Sequence, residues 1–267
     1  MALRPLRKLA PSPEAVALYD GWLGEIGERL ADPACDRNEL CVEVLRDLFY
    51  PQIDPATDES RLPKTTRIAL RNLDPRGVTL EPEYYDELEE EKYYPRKPLI
   101  WLWQMFDRSP LGGNVHLGVL FRRMIAPYVL KRVGRNFKCF HFVEVSFGYN
   151  LRVGDDVVVH RNVLLDDRGG RRIGNRVSIS DHVSVFSHTH SIDDIVDVKN
   201  IETVLDDNVR LTYGATVLAG VHVGVQGMVG AKALATKDVR PYHVNVGVPA
   251  KPAKVKSIAP PEYRRRD

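Results

Sequence analysis

Cysteine is scarce in this chain: Cys35, Cys41 and Cys139 are the only three among 267 residues. An odd count with no CxxC and no Cys/His metal spacing argues against a disulfide framework and fits a reducing compartment. A long apolar run is missing too. The densest stretch, Leu99 to Phe106 (LIWLWQMF), covers eight residues and has a glutamine inside, well short of the roughly 20 residues that cross a bilayer. The opening MALRPLRKLAPSPEA is basic but holds no apolar core, so it does not read as a secretory signal. Charge of one sign is also lacking. Lys and Arg number 38 against 36 Asp and Glu, a formal net charge of +2. Nothing global therefore calls for nucleic acid, although a local cationic patch stays open. Together these absences predict a cytoplasmic protein.

What is present changes character near residue 140. Before it the pattern is helical. Ser12 and Pro13 start a helix over Pro13 to Ala31, with Tyr19, Trp22, Ile26 and Leu30 on one face. A second runs from Arg37 to Phe49 and stops before Pro51 and Pro55. Further helices are expected over Thr66 to Leu73, Leu99 to Phe106 and Val115 to Leu130. The acidic stretch Glu83 to Lys92 (EYYDELEEEK) reads as a solvated helix face. The aromatic and basic stretch Trp101 to Arg135 packs over the end of the following domain or a neighbouring subunit, with a weak membrane-surface contact as the lesser reading.

After residue 140 a period of six takes over. Leu205, Leu211, Val217, Val223, Val229 and Ala235 recur in step, and four residues after each stands a small or β-branched residue: Val209, Ala215, Val221, Gly227, Ala233 and Val239. Upstream, Phe147, Val153, Val159 and Leu165 keep the same step, followed by Ile173, Ile179 and Val185. The register slips at Arg168–Arg172 and again between Val185 and Leu205, where a separation of 20 reads as one 18-residue coil plus two. Neither an α-helix nor a lone strand repeats at six, whereas a triangular coil of three short strands does. The aliphatic residue points inward, stacked coils pair as parallel strands, and Gly, Asn and Asp make the corners. The expected class is mainly β, a parallel β-helix of hexapeptide repeats preceded by a mostly α-helical region. The expected domains are residues 1–133, 134–256 and a tail over 257–267.

Three segments carry a resemblance: NVLLDDRGGRRIGNRVSIS (Asn162 to Ser180), THSID (Thr189 to Asp193) and GAKALATKDVRPYHVNVGVPAKPAKV (Gly230 to Val255). They are similar to the hexapeptide-repeat acetyltransferases, in the group of maltose, galactoside, nodulation-factor and capsule or colanic acid acetyltransferases. The resemblance covers roughly residues 134 to 256. It implies a left-handed coil, against the usual right-handed crossover, and a homotrimer with active sites between neighbours. It also implies acyl transfer from coenzyme A, most simply acetyl-CoA, to a hydroxyl of a small molecule or glycan, with no metal.

That chemistry needs a base for the hydroxyl proton and donors for the tetrahedral oxyanion. An imidazole suits the base role, and the resemblance assigns it to His190. His188, two residues earlier, either orients substrate or has no role. Asp167 matches an Asp that contacts the acceptor in the family, or else is a turn residue. His160 stands where many relatives carry Asn, which puts acceptor choice in doubt. For coenzyme A the matched positions are Tyr213 and Gly214 (where many relatives have Trp in that hexad), Ala231, Thr236, Lys237 and Lys251, with Lys254 a further phosphate contact.

Two other readings remain open on sequence. His160, His182, His188 and His190 invite a three-histidine zinc site of the γ-carbonic anhydrase kind, though His182 lies within a hexad. A non-catalytic trimeric β-helix scaffold is the third reading.

Overall fold

The computed structural model describes residues 11–194 and 196–264. Among the described residues six α-helices come first: α1 (Pro13–Ala31), α2 (Arg37–Phe49), α3 (Lys64–Arg71), α4 (Glu90–Tyr93), α5 (Lys97–Arg108) and α6 (Val115–Val129). Short polar side chains start several of them. Ser12 accepts from the Ala15 amide at 3.3 Å, Asp36 from Asn38 at 2.8 Å, and Asn114 from Leu117 at 3.1 Å. α1, α5 and α6 meet through a ring stack in which the Phe106 and Phe121 centroids lie 3.8 Å apart, with Trp22 5.7 Å from Phe121.

The acidic stretch departs from expectation. Glu81–Tyr84 is a single 3₁₀ turn and only Glu90–Tyr93 is helical, because Pro82 and the bonded side chains of this segment favour turns. Nor is the stretch simply solvated. Glu83 pairs with Lys97 at 2.8 Å, both nearly buried, and Glu87 pairs with Arg168 of the β-helix. The aromatic and basic stretch is likewise turned inward. Leu102, Phe106, Phe121 and Ile125 are fully buried, and Arg122 is buried in an ion pair with Asp107. Asp107 in turn accepts from the Phe142 amide at 2.7 Å, which ties α5 to the first coils. The membrane-surface contact is therefore corrected: its apolar residues are spent on packing. No helix among the described residues is long and apolar enough to cross a membrane.

The remainder is a β-solenoid of three stacked parallel sheets. The first face holds Leu151–Val153, Arg171–Ile173, Thr203–Leu205 and His222–Val223. The second runs from Lys138–Cys139 to His243–Val246 and gains one antiparallel strand, Lys251–Val255. The third runs from Val143–Val145 to Leu234–Ala235. The hexad leaders point inward as the period requires. Val153, Val159, Leu165, Ile173, Ile179, Val185, Leu205, Leu211, Val217, Val223, Val229 and Ala235 are each 2% exposed or less. A fully buried Val, Ile or Leu stabilises by about 1.5–3 kcal/mol.

The register locates the irregularities. Val143 pairs with Val163, a coil of twenty; Ser184 with Thr216, thirty-two; Thr216 with Leu234, eighteen. The separation of twenty from Val185 to Leu205 is thus no coil. It is one step from the third face to the first, carrying a fourteen-residue insertion above the six of a plain step. Phe147 is not a hexad leader either; it lies in a two-residue insertion between Val145 and Val153. Every insertion falls at the corner joining the third face to the first: Ser146–Asn150, Asp166–Gly170, and the segment from Phe186 to Glu202, which carries the hairpin His188–His190 with Val198–Asn200. At the other corners several non-glycine residues adopt positive φ, including Phe142, Arg176, His182, Gln226 and Lys232. Side chains other than Asn and Asp are tolerated there because the turn amide bonds to the coil below, as His182 does to the Arg161 carbonyl at 3.0 Å and Lys232 to that of Tyr213 at 2.9 Å. These bonds offset a left-handed cost of about 1–2 kcal/mol.

Candidate active site

The stacked insertions line a cleft of about 670 Å³. Its walls are the hairpin (His188, His190, Val196, Val198, Asn200), the corner (Ser146, Asp166, Arg168), the third face (Glu144, Leu164) and the helical region's turn (Glu81, Tyr84, Tyr85, Asp86, Glu87).

At its base lies Asp166, 2% exposed. One carboxylate oxygen accepts from the Ser146 hydroxyl at 3.2 Å and the Arg168 amide at 3.1 Å. The other accepts from the Ser187 and His188 amides at 2.7 and 3.2 Å and lies 2.6 Å from His188 Nδ1. Burial pushes the Asp166 pKa up, but these donors outweigh it and hold it below the usual carboxylate range. An ionised Asp166 has no proton to give, so His188 donates through Nδ1. In the neutral ring this leaves the lone pair on Nε2, across from Asp166. His190 follows on the same strand, exposed, its ring 5.4 Å from that of His188 and nearly perpendicular to it.

A second buried group holds the corner from below. Arg171, 0% exposed, donates from Nε to the Asp166 carbonyl at 3.0 Å and from its terminal nitrogen to the Val185 carbonyl, bridging two coils. Burial lowers its pKa to about 10. The helical region closes the other side. Arg168 stacks 3.8 Å over the Tyr85 ring and pairs with Glu87. Burial raises the Glu87 pKa, yet hydrogen bonds and the Arg168 charge bring it below its ordinary value, with Asn200 of the hairpin contributing. Burial and the Glu81 contact push the Tyr85 phenol up to about 12.

The residues singled out from sequence separate into groups. His188 and His190 share the cleft. Asp167 does not face it: fully buried, it accepts from the Phe147 amide at 2.7 Å and the Asn150 amide at 3.1 Å. It therefore holds the corner and is out of an acceptor's reach. His160 is also elsewhere, stacked at 4.9 Å on Phe140 at the corner between the second and third faces. Tyr213, Gly214 and Ala231 lie along that same distant corner, with His182 edge-on to Tyr213 at 5.4 Å and the Lys232 ammonium 5.1 Å over its ring. Thr236 and Lys237 are exposed on the corner row of the cleft, two coils farther on, and Lys251 is exposed on the antiparallel strand. With His160 and His182 on one corner and His188 and His190 on another, the histidines do not converge within the chain. Among the described residues no three His, Cys, Asp or Glu side chains form a metal-holding group.

Sequence reasoning missed Asp166, Arg168, Arg171, Tyr85 and Glu87. A signal for the first was available. Side chains alternate along a strand, so with Leu165 inward, Asp166 points out and Asp167 in.

No protein-family model matches the chain. It is similar to a putative acetyltransferase of Schizosaccharomyces pombe, 34% identical over 113 residues, covering 41% of this chain and 55% of that one. It is also similar to the galactoside O-acetyltransferase of Lactococcus lactis, 26% identical over 177 residues, covering 60% and 81%. The chain thus spans about half the length of the yeast relative. Among solved structures it shares its fold with a hexapeptide-repeat acetyltransferase of Vibrio cholerae solved with acetyl coenzyme A: TM-score 0.56, 20% identity, 68% of this chain and 98% of that one. Fold and relatives agree with the resemblance read from sequence: the chain is a β-solenoid, and it is similar to hexapeptide-repeat acetyltransferases.

Proposed function

We propose that the chain is an acyltransferase that moves an acetyl group from coenzyme A to a hydroxyl of a sugar or similar acceptor. The observation that carries this reading is the cleft, where two imidazoles stand together and one is held by a buried carboxylate.

In the proposed step an acceptor oxygen attacks the thioester carbonyl. The C–O bond forms, the C–S bond breaks, and the hydroxyl proton passes to an imidazole and on to the leaving thiolate. His190 is the general base by its matched position, a role worth about 10²–10⁴-fold. His188, fixed by Asp166, orients the acceptor from the same strand. The cleft wall bears Glu81, Asp86, Glu87, Glu144 and Asp166 against one guanidinium, Arg168, so an uncharged or cationic acceptor suits it better than a phosphorylated one.

Thr236 and Lys237 on the same corner row, with Lys251 beyond, supply contacts for the anionic thioester. Tyr213, Gly214 and Ala231 serve it only from a second copy, since their corner lies away from this chain's own cleft. A homotrimer with the donor between neighbours accommodates both sets. In support, the L. lactis relative is named a galactoside O-acetyltransferase and the V. cholerae neighbour is described with acetyl coenzyme A.

The test is incubation of the full chain with acetyl-CoA and a panel of neutral, amino and phosphorylated sugars. Free thiol and a one-acetyl mass gain on a hydroxyl acceptor are expected. Absence of both with every acceptor would overturn the reading in favour of a scaffold.

A further inference from the structure

The outward side of the first face carries a feature that acyl transfer does not use. Arg132, Arg152 and Arg172 stand one twenty-residue coil apart, and the parallel register sets Arg132 opposite Arg152 and Arg152 opposite Arg172. All three are exposed. With neighbouring strands about 4.8 Å apart, the column spans roughly 10 Å.

Like charges directly opposite one another destabilise a sheet, and elsewhere this solenoid avoids them. On the adjoining corner the coils place acid beside base. Arg135 pairs with Asp155 at 2.9 Å and Arg176 with Asp207 at 3.6 Å, and another corner pairs Arg161 with Asp181 at 2.9 Å. The column is the exception. Among the described residues its guanidinium groups make no hydrogen bond or ion pair. The nearby carboxylates are engaged already: Asp155 by Arg135, with Arg132 acting on it at longer range, and Asp206 by His222 at 2.8 Å. The three arginines line a cleft of about 250 Å³ together with Gly154, Gly174, Asn175 and two carboxylates, Asp206 and Asp207, the latter held by the Asn175 amide at 2.8 Å and by Arg176 at 3.6 Å. It lies on the opposite flank of the corner row from the histidines.

All three positions hold Arg, whose planar fork grips a phosphoryl group through two parallel hydrogen bonds, where Lys offers a point charge. We propose that this arginine column is a binding site for adjacent phosphoryl groups, as in a diphosphate. The inference does not depend on the acyl transfer reading, because an unoccupied site of this kind would repel itself whatever reaction the other cleft performs.

The probe is inorganic pyrophosphate, titrated calorimetrically onto the full chain at low and at moderate salt. The wild type should bind it, more weakly as salt rises. Arg152→Gln should lose about tenfold in affinity, one guanidinium–phosphate contact's worth. Arg152→Lys should fall between the two, and the triple change Arg132→Gln, Arg152→Gln, Arg172→Gln should abolish binding. Melting temperatures at or above the wild-type value would show that the variants fold. Two further arms separate sources of the phosphoryl groups. If coenzyme A competes with pyrophosphate, the column serves the thioester's nucleotide end. If vesicles with 30% anionic phospholipid compete instead, it serves a headgroup. Equal pyrophosphate affinity in the wild type and the triple variant, or none in the wild type, would overturn the proposal. So would dissociation of an oligomer on triple substitution without any pyrophosphate binding, since the column would then face an acidic surface of a second copy.

Discussion

Two corners of the same solenoid are built from the same repeat and differ in one respect. The corner between the second and third faces keeps its six-residue step throughout, from Val159 to Leu165 as from Val229 to Ala235. The corner between the third and first faces lengthens by two residues, by two again, then by fourteen, before Val217 to Val223 restores the plain step. The regular corner carries stacked rings and solvated turns. The lengthened one carries a buried carboxylate, a buried guanidinium, two imidazoles and a docked segment of the helical region. The repeat supplies the scaffold, and its interruptions gather the titratable side chains.

The comparison is most open to attack at His190. His190→Ala should cut thiol release by about 10²–10⁴-fold while acetyl-CoA binding measured by calorimetry stays as in the wild type. A variant retaining more than a tenth of the activity would move the base elsewhere. Asp166→Asn should cost about one to two orders of magnitude, as part of the same general-base contribution, because an amide no longer fixes which nitrogen of His188 carries the proton.

The same substitution has a pH signature. The folded-state pKa of Asp166 is lowered, so its stabilisation is present above the unfolded value near 3.9 and is lost as pH falls through the folded value. The difference in melting temperature between the wild type and Asp166→Asn should therefore shrink with acidification below about pH 4. A gap that widens there would contradict the assigned ionisation.

Packing at the corner gives a smaller effect. A Cβ on Gly169 would lie 2.0 Å from the Ser187 carbonyl oxygen and 2.3 Å from the Ile201 nitrogen. Gly169→Ala should thus destabilise by about 1–3 kcal/mol, readable in thermal unfolding. An unchanged midpoint would mean that the hairpin is not seated there as described. The smallest effect has the opposite sign. Without any anion present, Arg152→Gln should stabilise by about 0.2–1 kcal/mol, the cost of like charges across strands. Destabilisation would show that the column is internally compensated.

The scaffold was legible because burial imposes a strict period: each hexad leader from Val153 to Ala235 is where the six-residue step placed it. α1 and α2 were legible for similar reasons, with Ser12 and Pro13 starting the first and Pro51 and Pro55 ending the second. The site was only half legible. His188 and His190 announced themselves by residue type in a loop that breaks the period. Asp166 lay hidden beside Asp167, because a family match names a position while only the inward phase of Leu165 decides which aspartate faces out. The contacts of Glu87 and Tyr85 with Arg168 join positions more than eighty residues apart. No local pattern carries that information, so an acidic run read as solvated surface proved to be a wall of the cleft.

The most direct test of the account is thiol release from acetyl-CoA, followed over a panel of hydroxyl acceptors for the wild type and His190→Ala side by side with acetyl-CoA binding. The account predicts that both proteins bind the thioester and that only the wild type releases thiol at an appreciable rate. Equal release by both, or binding by neither, would contradict the claim that the interrupted corner is an acyl transfer site.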